Sequence, residues 1–176
     1  MRAEESARAR DHGPGIFPMA PGVALGIGLG GFVDGIVLHQ ILQWHHMLTS
    51  AGYPADSVQN LTINTLADGL FHAATWIATA LGLLLLHRAV RHGSGWSGDR
   101  LLGGILIGWG AFNLVEGIVD HHILGLHHVR EAAANPLVWD LGFLAFGAAL
   151  VIAGAALARR GRAKATRLGA DVRRAA

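Results

Sequence analysis

Two thirteen-residue segments of this chain carry an acid, then a histidine, then a pair of adjacent histidines. Segment 34–46 reads DGIVLHQILQWHH and segment 116–128 reads EGIVDHHILGLHH, with eight identical positions and one exchange of Asp for Glu. Neutral imidazoles and carboxylates are the ligands that Zn, Fe, Mn and Cu(II) accept in proteins. Because the pattern occurs twice, it predicts metal chemistry more strongly than a single histidine pair would.

The elements that would position these residues are long apolar helices. Hydrophobic residues make up 52% of the 176 residues and charged residues 15%, whereas soluble domains carry about 25% charge. Four stretches, near 21–45, 61–86, 101–124 and 136–158, meet the length of about 20 residues that a membrane-spanning helix needs. We predict an all-α integral membrane four-helix bundle, with 1–19 as an N-terminal segment, 20–158 as the membrane domain and 159–176 as a basic tail.

Composition also excludes several classes of function. The chain has no cysteine, so disulfides, thiolate metal sites and cysteine nucleophiles are ruled out. One tyrosine and 7% aromatic residues do not favour a stacking surface for nucleic acid, and we expect no nucleic-acid partner.

The repeat extends beyond the two histidine segments. A shift of 82 positions places Gly22, Gly26 and Gly28 on Gly104, Gly108 and Gly110, and Asp68 matches Asp140 after a shorter loop. The repeated unit is therefore a two-helix hairpin, covering about 20–88 and 101–158. Small residues at every fourth position let helix backbones approach closely, so we expect spans one and three to face each other.

Helical geometry places most of the polar residues on one side of each span. At about 100° per residue, the acid and the three repeated histidines of each segment fall in an arc of about 140°, whereas His122 points elsewhere. The late ends of spans one and three adjoin the early ends of spans two and four, which predicts one cluster in one half of the bundle. The candidate metal ligands are Asp34, His39, His45, His46, Asp68, His72, Glu116, Asp120, His121, His127, His128 and Asp140.

Several functions could use such a cluster. Ionisable groups within a membrane cost roughly 2.5–3.5 kcal/mol each on insertion scales, so they must hold a cation, surround water or neutralise one another. The first interpretation is that the cluster binds one or two transition-metal ions, in a protein with an oxidoreductase or a metal-handling role. The alternatives are a proton or cation pathway, a haem held by His39 and His121, and a hydrogen-bonded network that fixes helix register. Leu144 stands where the first half has His72, so the two halves are not equivalent.

The distribution of Lys and Arg predicts orientation. Of fourteen such residues, Arg130 alone falls between spans three and four, and the other thirteen lie before span one, between spans two and three, or after span four. The positive-inside tendency then places both termini in the cytoplasm and the cluster toward the outer face.

The runs GFVDGIVLHQILQWHHML, DGLFHAATW, GWGAFNLVEGIVDHHILGLHHVR and WDLGF resemble a bacterial family of small four-span predicted inner-membrane proteins of unknown function. The resemblance covers roughly 20–158. It implies a multi-pass protein of the bacterial inner membrane, in contact with the lipid bilayer. A homo-oligomer is an alternative to a monomer that the sequence leaves open. The resemblance also implies a link to respiratory oxidase assembly proteins, because genes of this family are associated with a copper-handling assembly factor.

Overall fold

The computed structural model describes residues 16–175, and four helices account for most of them. They are α1 (Ala20–Ile41), α2 (Val58–Arg91), α3 (Gly98–Ile123) and α4 (Pro136–Ala175), and each is long and apolar enough to cross a membrane. The predicted all-α four-span bundle is confirmed. Of the predicted segment 1–19, residues 1–15 lie outside the described part of the chain.

Local sequence signals explain where the helices begin. Ser57 and Ser97 precede α2 and α3, and their hydroxyl oxygens accept the backbone N–H groups of Asn60 and Arg100 at 3.2 and 3.3 Å. Serine is a favoured residue at this position because its side chain satisfies an N–H that the helix leaves free. Proline lies at the start of both other helices, as Pro21 and Pro136, where its fixed φ suits the first turn.

Glycines bring α1 and α3 into backbone contact at the centre of the bundle. A Cβ added to Gly22 would lie 2.9 Å from the Cα of Gly104, and one added to Gly26 would lie 2.8 Å from the backbone nitrogen of Trp109. Around this pair, α2 packs on α1 and α4 packs on α3, while α2 and α4 do not pack against each other within residues 16–175. The predicted contact between spans one and three is therefore present.

The outer faces of the helices present apolar side chains. On α2, Leu66, Leu70 and Ile77 are 66%, 66% and 61% exposed. A row of exposed large aliphatic residues on a long helix is typical of contact with lipid. The protein is therefore a membrane protein whose outer surface is solvated by the bilayer.

Both central helices widen into a π-helix at the end that carries the histidines. The π segments are Asp34–Ile41 and Gly117–Ile123, and the N–H groups of Leu42 and Leu124 each donate 2.8 Å bonds to the carbonyl five residues earlier. The predicted directions assumed about 100° per residue throughout, which is wrong here because an i→i+5 turn holds more residues than an α turn. The helix α1 ends at Ile41, earlier than the predicted end near 45.

A left-handed residue ends each π segment. Gln43 has φ of 50° and Gly125 has φ of 58°, and the two positions are 82 apart, which is the spacing of the repeat. The αL conformation is costly for a residue with a side chain, yet Gln43 adopts it. The chain therefore turns in the same way after both segments and sends both histidine pairs back toward the bundle.

The candidate ligands and the basic residues lie at opposite ends of the bundle. The candidate histidines are near the ends of α1 and α3 and the starts of α2 and α4, whereas Arg100, Asp99 and Lys164 lie at the opposite end, where Lys164 donates a 2.6 Å bond to Asp99. The predicted concentration of the polar residues in one half of the bundle agrees with this arrangement. The basic tail after the predicted membrane span, which ends at 158, continues α4 as helix to Ala175.

We predict that Gly26→Leu separates α1 from α3, because its side chain would meet the backbone of Ile105 and Trp109. Overpacking typically costs about 1–3 kcal/mol, so the unfolding temperature in detergent should fall clearly. Gly69→Leu is the matched control, since nothing lies within 4 Å of a Cβ at Gly69. Equal effects of the two substitutions on unfolding would contradict the contact.

Candidate metal centre

Six of the predicted ligands converge where α1 and α3 end. Each is at most 4% exposed, although all of them are polar. We call this set the histidine cluster, and its members are Asp34, His39, His45, Glu116, His121 and His127. Each half of the repeat contributes one acid and two histidines, so the two equivalent segments meet at one place.

The imidazole rings of the cluster lie against one another. The His45 and His127 rings stack with centroids 4.4 Å apart and planes 4° apart, His39 lies 4.3 Å from His45, and His121 lies 4.8 Å from His127. Ligand atoms of His39, His45 and His127 come within 4.8 Å of one another. Two further triads, Glu116 with His121 and His127, and Asp34 with His39 and Glu116, meet the same spacing.

Each half holds a histidine of the other half in place. The His45 Nδ1 donates to the carbonyl of Val129 at 2.8 Å, and the His127 Nδ1 donates to the carbonyl of Met47 at 3.1 Å. Val129 and Met47 directly follow the two histidine pairs and are equivalent in the repeat. No side-chain pattern could indicate these acceptors, because a backbone carbonyl is present at every position.

Asp68 organises the first half from α2. Its carboxylate accepts the His39 Nδ1–H at 2.9 Å, the His46 Nδ1–H at 2.7 Å and the backbone N–H of Met47 at 3.0 Å. These bonds orient His39 and fasten the loop after α1. Asp68 and His46 therefore lie behind the cluster, as groups that support it.

Asp140 takes the equivalent position on α4. It accepts the His128 Nδ1–H at 2.7 Å and the backbone N–H of Val129 at 2.9 Å. The His121 Nδ1 lies 3.7 Å from Asp140, which is beyond hydrogen-bond distance. Asp140 thus supports the second half as Asp68 supports the first, except that its contact with His121 is longer than the Asp68–His39 bond.

The inward atoms of the cluster have no hydrogen-bond partner among the described residues. They are the Nε2 atoms of all four histidines, one oxygen of Asp34 and both oxygens of Glu116. Where Nδ1 alone carries the proton and donates it outward, as in His45 and His127, Nε2 presents a lone pair. The His39 ring lies between two carboxylates, with Nδ1 2.9 Å from Asp68 and Nε2 3.1 Å from Asp34. This contact needs a positive charge, which either a second proton on His39 or a metal ion would supply.

Such a group of buried acceptors is unfavourable without a positive charge. Buried polar atoms in native proteins are almost always paired, and the low dielectric of an interior raises the cost of leaving them unpaired. A proton or a metal ion among these atoms would remove the conflict. The clusters of His, Asp and Glu could therefore hold a metal ion.

Two predicted ligands lie apart from the histidine cluster. Asp120 is half-buried and borders a cavity beside Glu116. The His72 ring lies against Gly35 and stacks on Phe32 at 6.4 Å, in the place that Leu144 occupies against Gly117 in the other half. His122 is exposed, in agreement with its predicted direction.

His45 and His127, the two cluster members on the loops after α1 and α3, are in the neutral form that can bind metal. Burial, together with the nearby His127 and His39, lowers the pKa of His45 to about 3. Burial also lowers the pKa of His127. Both imidazoles are therefore neutral at pH 7, which is the state that metal coordination requires.

The geometry does not support the haem alternative. The rings of His45 and His127 lie within 6.3 Å of both His39 and His121, so each proposed axial ligand packs against other imidazoles. A porphyrin held by His39 and His121 would have to break this packing.

Comparison with known proteins identifies the family but does not indicate a function. The sequence model of a family described as "Predicted membrane protein (DUF2243)" matches residues 21–161. No curated protein and no solved structure matches the chain.

We predict that His45 stays neutral and protonated at Nδ1 at pH 6, because its folded pKa lies near 3 whereas an unperturbed imidazole has a pKa of about 6.5. Nitrogen-15 NMR of metal-free protein with labelled histidine reports both the charge and the tautomer. Assignment uses His45→Asn, which should remove one neutral signal. An imidazolium spectrum for His45 at pH 6 would contradict the described environment.

Proposed function

The chain belongs to this family of predicted membrane proteins, and from that premise we propose that it is a membrane metalloprotein that holds one or two transition-metal ions in the histidine cluster. The observation that carries the proposal is the convergence of four Nε2 atoms and three carboxylate oxygens, all buried and without a hydrogen-bond partner within residues 16–175. One or two cations among these atoms would supply the positive charge that they lack.

The outward nitrogens support the same interpretation. Histidines that bind metals usually donate the other ring N–H to a carboxylate or a backbone carbonyl, which fixes the tautomer and the ring orientation. His39 donates to Asp68, His45 to the Val129 carbonyl and His127 to the Met47 carbonyl. A histidine network that existed only to fix helix register would have no need to keep the inner nitrogens free.

The ligand types narrow the class of metal. Imidazole and carboxylate suit Zn, Fe, Mn and Cu(II), and the chain has no thiolate to offer. His39, His127 and Glu116 each belong to two of the three triads, so a pair of ions would share ligands near the pseudo-two-fold axis. A redox enzyme and a protein of respiratory metal handling would both use this set.

The charge distribution supports an orientation. Arg88, Arg91 and Arg100 lie at the end of the bundle opposite the cluster, together with the basic tail. By the positive-inside tendency that end faces the cytoplasm of a bacterial cell, and the cluster lies toward the outer face of the inner membrane. Assembly with further copies or with respiratory oxidase assembly proteins is part of the proposal and rests on the family resemblance.

We predict that detergent-purified protein contains close to stoichiometric transition metal and shows no Soret band. The double substitution His39→Asn and His121→Asn removes a buried ligand from each half and should abolish metal binding. His122→Asn is the matched control, since His122 is exposed and adjacent in sequence. Elemental analysis gives the metal content, and circular dichroism checks that the helices remain. Metal-free wild-type protein, or full metal content in the double variant, would refute the proposal.

We predict that Asp68→Asn weakens metal binding by about 10- to 100-fold, the usual cost of losing a group that orients a ligand. The amide keeps the size of the side chain but cannot accept three N–H groups equally. Chelator competition measures the affinity. Asp56→Asn serves as the control, because Asp56 is an exposed loop residue. An unchanged affinity in Asp68→Asn would show that His39 does not depend on this carboxylate.

A further inference from the structure

A cavity of about 270 Å³ adjoins the histidine cluster on one side of the bundle. It lies between α2 and α3, above α1. Ile27, Phe71 and Phe112 form apolar walls, and Glu116 and Asp120 are its acidic lining residues. An apolar pocket with a few convergent polar groups is the usual form of a small-molecule site.

The polar wall of this cavity is short of hydrogen-bond donors. Glu116 is 4% exposed, and neither of its oxygens has a partner in the described part of the chain. Asp120 is half-buried one helical turn later. A hydroxyl group on a ligand matches this wall, because it can donate to a carboxylate oxygen and can also accept from a protonated carboxyl group.

The other side of the cavity opens toward the bilayer. Val115 lines the cavity and is 63% exposed on α3, which is a surface that lipid covers in a membrane-spanning helix. A molecule dissolved in the bilayer could therefore enter sideways, without crossing the loops.

A second groove allows a partial internal comparison. It has a volume of about 420 Å³, lies between α1 and α4, and is lined by Leu38, Trp44 and Phe143 among others. Leu38 and Phe143 correspond in the repeat to Asp120 and Phe71, whereas the other lining residues of the two sites do not correspond. No acid is among the described residues that line this second groove.

We propose that the Glu116–Asp120 cavity binds an apolar molecule with a hydroxyl head group, of the alkylphenol class, that enters from the bilayer and donates its O–H to this wall. The inference rests on the proposed function in that the ligand would lie beside the metal centre and so defines its substrate class. An alkyl tail would follow the apolar walls toward Val115, and the aromatic head would lie near Phe71 and Phe112.

The test uses 4-pentylphenol with a diazirine in its alkyl chain, added to the full chain in lipid nanodiscs. After photolysis, mass spectrometry should find the label on peptides that carry Phe112, Val115 or Phe71. Excess 4-pentylphenol should prevent labelling, whereas its methyl ether, which has no O–H, should compete about tenfold less well, the ratio expected for one lost hydrogen bond to a charged group.

Two variants with one control make the result specific. Val115→Trp should block the opening and remove labelling, while Val138→Trp, a substitution of similar exposure at the second groove, should leave it intact. Asp120→Leu copies the residue of the other half and should reduce the preference for the phenol over its ether, because Glu116 remains as an acceptor. Equal competition by phenol and ether in wild-type protein, or equal loss of labelling in both tryptophan variants, would overturn the inference.

Metal content measured on the same samples separates this inference from the proposed function. Protein that contains metal but shows no preference for the phenol refutes only the ligand site. Protein that is labelled specifically but contains no metal refutes only the metal centre.

Discussion

The structure depends on imidazole lone pairs that are held together inside an apolar bundle. His39, His45 and His127 donate their outward N–H groups to fixed acceptors, and in the neutral ring this leaves the inner nitrogen as an acceptor only. The carboxylates of Asp34 and Glu116 join them. Hydrogen-bond acceptors that face one another in a low-dielectric interior repel or go unpaired. This arrangement is therefore stable only with a positive charge among them.

Duplication explains how one short pattern builds an enclosed centre. Each hairpin supplies an acid, two inner histidines and an aspartate behind them, and each loop carbonyl holds the histidine of the other hairpin. Glycine contacts between α1 and α3 set the distance across which the halves meet. A bulkier residue at Gly22 or Gly26 would move the ligand atoms as well as the helices.

The two halves have nevertheless diverged. His72 and Leu144 occupy equivalent places against Gly35 and Gly117, and Leu38 stands where the second half has Asp120. The bond from Asp68 to His39 is 2.9 Å, whereas Asp140 lies 3.7 Å from His121. A pseudo-symmetric scaffold with unequal sides can bind an ion near its axis and admit a ligand from one side only.

Span number, the repeat and the identity of the clustered residues could all be read from the amino-acid order, because hydropathy and helical spacing are local properties. The π turns over Asp34–Ile41 and Gly117–Ile123 could not, and they changed the direction in which His45 and His127 return to the bundle. Sequence analysis also did not distinguish the six candidate ligands of the histidine cluster from Asp68 and Asp140, which lie behind them. That distinction depends on which ring nitrogen meets which acceptor, and the acceptors at Val129 and Met47 are backbone atoms supplied by the opposite hairpin.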